Sequence, residues 1–321
     1  MTLQNRFNLP AALVAAIERH EHKGAKYSVS MLPNSPRQVW LKKRHADEVV
    51  ADAVDRVWAT LGTAWHAMNH EHAGPNEMSE EYMDEILAGV PVSGTADLFY
   101  GDGCLDELKT TSVWSIVHES RLDEWTKQLN SYALGLSRRG CVVKKLRAVV
   151  LMRDWRAGEA ARTAGYPPCM VVVMDIPLWS PAEQEAHIRG RAALFDKYEQ
   201  TPDDQLPLCT AEERWESGGK PPKRCALYCD GFAFCNQRQA ELGSPPKAPA
   251  RKAIAPPAAQ AAHPGAELPA NKAGWDDATA AAKAAGTTLA EVRKHLGFSG
   301  KFTAGQALAV IGACAGKGAQ S

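Results

Sequence analysis

Apolar positions along the first two-thirds of the chain fall into two periods, one helical and one extended. The helical spacing predicts a short helix over residues 10–21, with Pro10 at its start, and a long helix over 47–72. Residues 91–100 (PVSGTADLFY) and 103–110 (GCLDELKT) have strand character, and Gly101-Asp102-Gly103 between them is a hairpin signal. A helix over 123–138 comes next. Two β-branched apolar runs, 146–153 (LRAVVLMR) and 169–176 (CMVVVMDI), predict strands, and 181–199 predicts a closing helix. Helix, hairpin, helix, strands and helix together predict a mixed α/β domain, with a sheet flanked by helices.

The pattern breaks after residue 244. Residues 245–270 are a linker rich in proline and alanine, holding seven of the chain's 20 prolines. Such a segment cannot bury a core. Residues 271–321 are expected to form a small helical module, in which Trp275, Ala278, Ala282, Leu289, Val292 and Leu296 fall at helical spacing. Ala307, Leu308 and Ile311 repeat that spacing after Thr303, a good N-cap. The three segments are therefore a domain over 1–244, a linker over 245–270 and a module over 271–321.

Hydrophobic residues are 45% of the chain and charged residues 23%, ordinary values for a globular protein. Lys+Arg and Asp+Glu are both 37, so the net charge is zero. A zero sum does not exclude nucleic acid, because binding depends on local patches. No apolar run is long enough for a bilayer, and MTLQNRFNLP lacks the apolar centre of a signal peptide. A cytoplasmic protein with no membrane partner is expected, in the host cytoplasm if a phage encodes it. Four of the eight cysteines (Cys209, Cys225, Cys229 and Cys235) fall close together. In a reducing compartment such a group points to metal before disulfides.

Asp97 lies in the first strand of the hairpin and Glu107 in the second. Lys109 follows Glu107 by two, so the strand period puts both on one face. Two carboxylates and a lysine are the minimum set for metal-assisted phosphodiester hydrolysis. Carboxylates bind Mg²⁺ or Mn²⁺, the ion polarises a phosphoryl oxygen, and an ammonium orients water. By spacing alone, a solvated Glu-x-Lys strand face is the commoner case.

Gly94-Thr95-Ala96-Asp97 followed by Asp106-Glu107-Leu108-Lys109 resembles the core of the PD-(D/E)XK nucleases, in the RecB-like branch that includes CRISPR-associated and phage exonucleases. Gly62-Thr63-Ala64-Trp65-His66 resembles the helix motif that places a histidine on the metal. Gln128 and Tyr132, at i and i+4, resemble the Gln-xxx-Tyr motif on the helix after the catalytic strands. Tyr27-Ser28-Val29-Ser30 with Pro36-Arg37 looks like the entry segment of the same branch. The resemblance covers roughly residues 27–235. It implies a restriction-endonuclease-like core, a metal held by His66, Asp97 and Glu107, and catalytic roles for Asp97, Glu107, Lys109, Gln128 and Tyr132. It departs from the family pattern at position 70, where His70 stands in place of a glutamate.

Four cysteines suit either tetrahedral Zn²⁺ or an iron–sulfur cluster. The segment has no Cys-x2-Cys pair, and three close cysteines with one distant resemble the iron–sulfur nucleases of this family. That implies a [4Fe–4S] cluster on Cys209, Cys225, Cys229 and Cys235, with Zn²⁺ the alternative, in a cysteine-ligated lobe. Basic groups fall at Arg37, Lys42, Lys43 and Arg44, at Arg138, Arg139, Lys144, Lys145 and Arg147, and at Lys220, Lys223 and Arg224. Any of these groups offers sequence-independent phosphate contacts. The expected function is a metal-dependent DNA nuclease, an exonuclease acting on DNA ends in phage-type recombination. A single-strand annealing or other recombination protein would be the partner of the C-terminal module. The rival reading is a non-catalytic DNA-binding or scaffolding protein that retains the fold.

Overall fold

The computed structural model describes residues 2–18, 24–216 and 222–242, with residues 279–280 and 282–284 further on. The chain divides into two units, Met1–Ala248 and Pro249–Ser321. The linker and nearly all of the module lie outside the described residues. So do the expected packing residues Trp275, Leu289, Val292, Leu296 and Ile311.

In chain order the elements are β1 (Thr2–Gln4), α1 (Ala11–Glu18), β2 (Tyr27–Ser28), α2 (Pro36–Arg44), β3 (Val50–Asp52), α3 (Ala53–Glu71), β4 (Glu77–Leu87) and β5 (Val90–Tyr100). There follow β6 (Cys104–Thr111), α4 (Val113–Val117), α5 (Leu122–Arg138), β7 (Lys145–Met152), α6 (Ala157–Ala160), β8 (Val171–Ile176) and α7 (Pro181–Tyr198). Two short helices, α8 (Lys223–Leu227) and α9 (Asn236–Leu242), belong to the cysteine-rich region. The expected α/β architecture is present, as a mixed six-stranded sheet with helices against it. Among the described residues no helix is long and apolar enough to cross a membrane.

Strand β5 is the centre of the site. One of its edges pairs along its length with β4. The other is shared, pairing with β2 at Val92 and Ser93 and with β6 only at Leu98 and Phe99. Between those contacts β5 and β6 part, and the gap is occupied by side chains. Beyond β6 the sheet continues with β7 in parallel and β8 antiparallel.

Local chemistry accounts for the main boundaries. The expected helix over 47–72 begins at Ala53 because Asp52 caps it, accepting from the Val54 N–H at 3.1 Å. Residues 50–52 instead pair with the N-terminal strand. Helix α2 starts at Ser35, whose hydroxyl accepts from the Gln38 N–H, and Pro36 occupies its first turn. Helix α7 carries a capping box between Ser180 and Glu183. Helix α5 is buried from Trp125 to Leu136 at every position but Lys127, as a helix enclosed between the sheet and α7.

Strand β4 has no counterpart in the sequence expectations. Its sequence, EMSEEYMDEIL, is dense in acids that strands disfavour, and its apolar residues are spaced as in a helix. It forms because it is an edge strand, where charge is tolerated, and because Ala88 and Gly89 take positive φ of 53° and 80° in a tight turn onto β5.

Candidate active site

Where β5 and β6 part, the register would next set Asp97 opposite Glu107. Instead the Asp97 carboxylate fills the gap and accepts from the Leu108 N–H at 2.6 Å through Oδ2. A buried backbone donor left by the broken ladder is thereby satisfied. The other oxygen, Oδ1, faces His66 Nδ1 at 3.3 Å. His66 stands on α3, which crosses the sheet where the space at Gly62 admits Thr110.

Glu107 is buried and held from the opposite side. Its Oε1 accepts from Lys109 Nζ at 2.7 Å and from Gln128 Nε2 at 2.8 Å. Gln128 Oε1 in turn accepts from Lys109 Nζ at 2.8 Å. The three side chains form a closed ring that fixes the lysine. Glu107 Oε2 is buried without a hydrogen-bond partner. An orphaned carboxylate oxygen is costly in an apolar interior, and a cation ligated there would remove the cost. Burial first, and then the charge of Asp97, raises the Glu107 pKa, although Lys109 pulls it down. The acid is thus poised to gain from a neighbouring cation.

Tyr132 lies near enough to Glu107 and Asp97 for their charges to add to the effect of burial on its phenol, and its hydrogen bonds go elsewhere. Its ring passes so close to Gly94 that a Cβ there would come within 2.8 Å of Cε1. Its phenol, raised well above its usual pKa by burial, bonds Gln128 and the Thr95 backbone. Tyr132 therefore braces Gln128 and β5, and Gln128 braces Glu107 and Lys109.

Glu80 is the residue that the sequence reading missed. It lies on β4 at a break in the register, between the Ser79–Leu98 and Glu81–Ala96 pairs and so at the level of Asp97, with its backbone in the left-handed region at φ 53°. Such a conformation is rare for a non-glycine residue inside a strand and clusters at functional sites. The Glu80 Oε1 is 3.0 Å from His66 Nδ1. Ligand atoms of His66, Glu80 and Asp97 all lie within 4.8 Å of one another, a spacing that could hold a cation. Burial pulls the His66 imidazolium down, but bonds to Asp97 and Glu80 more than offset this and push its pKa up to about 10. The one available signal was the stretch Ser79-Glu80-Glu81 just before the hairpin, hidden by its helix-like spacing.

His70 turns away and bonds the Ser79 hydroxyl, outside this group. Asp106, beside Glu107 in sequence, points to the other face and is held by Arg147 through two bonds of 2.6 Å. The strand alternation thus gives neighbouring acids different tasks.

The four expected cysteines line one pocket together with Arg37, Leu41, Phe232 and Arg238. Cys209 lies 3.1 Å from the Ser35 hydroxyl, and Cys235 is 3.9 Å from Arg37 Nη1. Burial pushes the Cys209 thiol up to about 11 and Cys229 to about 12. Arg37 is 1% exposed and Arg238 2% exposed, so two buried guanidinium groups lie beside four thiols. Thiolates bound to a metal would balance those cations, and N–H···S bonds suit such a centre.

Several basic groups are structural. Arg37 ties α2 to the Pro207 carbonyl at 3.0 Å and to Asn236 at 2.5 Å, and also bonds the Leu206 carbonyl. Arg44 pairs with Asp203, Lys42 with Asp230, Arg138 with Glu185 and Arg139 with Glu81 and Glu85. Arg37 is thereby a buried tie, and Arg44 directs its donors to Asp203 and to the carbonyls of Tyr198, Glu199 and Thr201.

No protein-family model matches the chain, and no curated protein does. Among solved structures, it is similar to the crystal structure of SSO0001, at 17% identity and a TM-score of 0.42, over 70% of this chain and 95% of that one.

Proposed function

We propose that the protein is a divalent-metal-dependent DNA nuclease of the PD-(D/E)XK type, with His66, Glu80, Asp97 and Glu107 as the metal-binding set. The observation that carries this reading is the unpartnered Glu107 Oε2, buried in the same site as Asp97 and His66. A bound Mg²⁺ or Mn²⁺ would polarise a phosphoryl oxygen and acidify a water. The chain supplies the rest. Lys109, fixed by Glu107 and Gln128, presents its ammonium to the attacking water and to charge developing on the phosphate. The water oxygen bonds to phosphorus as the P–O ester bond breaks, the water gives up a proton to solvent, and the leaving oxygen takes one from solvent to depart as an alcohol. Gln128 and Tyr132 are positioning residues that keep the ring closed.

The cysteine pocket would hold a [4Fe–4S] cluster on Cys209, Cys225, Cys229 and Cys235, with a structural role. Action on DNA ends, and a recombination partner for residues 271–321, extend the same proposal.

The test is incubation of end-labelled linear DNA and circular DNA with Mg²⁺, Mn²⁺ or EDTA. Metal-dependent loss of the linear substrate, with the circle spared, is expected. Cleavage in EDTA, or none with either metal, overturns the reading.

A further inference from the structure

A groove of about 950 Å³ runs past the end of β6. Its floor starts at Thr110 and Thr111, immediately after Lys109, and continues over Trp114, His118 and Arg121. Its far wall is built by the cysteine-rich region, through Trp215, Lys223 and Tyr228. The groove therefore runs from the end of β6, next in sequence to Lys109, to the cysteine-rich region.

Its aromatic side chains are exposed yet held in place. Trp114 is 49% exposed and Tyr228 47%. The Trp114 ring is stacked on His118 at 5.9 Å and braced edge-on by Tyr166 at 6.2 Å. Trp215 lies between two guanidinium groups, with Arg121 4.6 Å and Arg224 5.0 Å from its centroid. Its backbone is left-handed at φ 55°, an outlier for so bulky a residue. Arg153 caps Trp58 of α3 at 5.2 Å, at the same end of β6. Arg121 Nε is buried without a hydrogen-bond partner, while its Nη2 pairs with Glu124 at 2.7 Å. Two acids, Glu212 and Glu216, also line the groove, and Glu216 is engaged by Arg214 at 2.7 Å.

Half-exposed aromatic faces, cations and hydroxyls in one recess match an unpaired strand. Bases of a duplex are stacked on one another and offer no face to a protein ring, whereas unpaired bases do. Arg121, Arg153 and Lys223 supply phosphate contacts along the way. We propose that this groove is a single-stranded DNA subsite in which bases stack on Trp114 and Tyr228, so that the strand entering the metal site is unpaired. This rests on the nuclease reading and deepens it by naming the strand form. It also gives the cysteine lobe a task, since loss of the lobe's metal would displace the groove's far wall.

Fluorescence anisotropy of a labelled oligothymidylate, against a duplex of equal length and an RNA of the same sequence, tests it in EDTA so that nothing is cut. Single-stranded DNA is expected to bind most tightly. Trp114→Ala should lose about tenfold or more of that affinity, the stacking contribution of one base, while duplex binding stays unchanged. Trp114→Phe should restore most of it. Because Trp114 packs on Tyr166, Tyr228→Ala is the second probe, and a comparable selective loss is expected. Equal affinity for duplex and single strand overturns the subsite, as does unchanged single-strand binding in both alanine variants. Tighter binding of RNA overturns the assignment to DNA. Metal-dependent cleavage by the wild type, measured separately, would leave the nuclease reading standing in either case.

Discussion

At Glu80 backbone and side chain pull in opposite directions, and the two effects can be measured apart. A left-handed backbone costs an L-residue about 1–2 kcal/mol. Glycine escapes that cost but returns about 0.5–1 kcal/mol through its greater freedom when unfolded. Glu80→Gly should therefore be more stable than Glu80→Ala by roughly 0.5–1 kcal/mol, the reverse of the usual order in regular structure. The ion pair with His66 is partly solvated, with side chains 30% and 32% exposed. Its loss costs about 0–1 kcal/mol in both variants. In a domain of this size the difference between them is a few degrees, about 2–4 °C per kcal/mol, in melting temperature. Activity should not follow stability. Both variants lose a ligand and the partner that orients His66, and a fall of about 10–100-fold in metal affinity or cleavage is expected. Scanning calorimetry and a manganese-dependent cleavage assay read the two effects. Glu80→Ala melting at or above Glu80→Gly would refute the backbone argument. Glu80→Gly cutting DNA at the wild-type rate would remove Glu80 from the site.

Three further outcomes follow from the same geometry. Gln128→Ala opens the ring around Lys109 and deprives Glu107 Oε1 of a donor, so stability should drop by about 1–3 kcal/mol and the cleavage rate by more than the melting shift explains. Protein purified without oxygen should be coloured and contain iron, and Cys225→Ser should lose both while the isolated acid site stays intact; zinc without iron in the wild type contradicts the cluster assignment. In EDTA, the raised His66 pKa stabilises the fold fully below its ordinary value of 6.5, and this contribution fades as pH rises toward about 10. The melting difference between wild type and His66→Gln should shrink over that window, and a constant difference would show that the proton is not held there.

The parts of the site that lie on regular periods were readable from the chain. Glu107 and Lys109 follow the strand alternation, Gln128 and Tyr132 follow the helix turn, and Lys109 and Gln128 bond Glu107 directly. His66 arrives on α3, one helical turn after Gly62, where the helix meets Thr110 of β6. What resisted reading depends on tertiary context. Strand β4 looks helical and acidic until it is placed at a sheet edge, so Glu80 stays hidden with it. Arg37 is a surface charge by composition, yet it is the buried tie between α2 and the cysteine region. Nothing local in Trp114, Trp215 or Tyr228 shows that they share one groove, because they come from distant parts of the chain.

The central claim is that the orphaned Glu107 oxygen exists to bind a cation, and Glu107→Gln addresses it most directly. The glutamine carbonyl can keep both bonds now made by Oε1, while its amide occupies the place of the unpartnered Oε2 and cannot ligate a metal. The variant relieves a buried charge beside Asp97 but gives up the ion pair with Lys109 and buries an amide without an acceptor, so its melting temperature should fall by a few degrees while the fold is retained. Its cleavage of end-labelled DNA at saturating Mn²⁺ should fall by about a thousandfold or more, the equivalent of several kcal/mol of transition-state stabilisation. A variant that is folded and cuts at the wild-type rate would contradict the account.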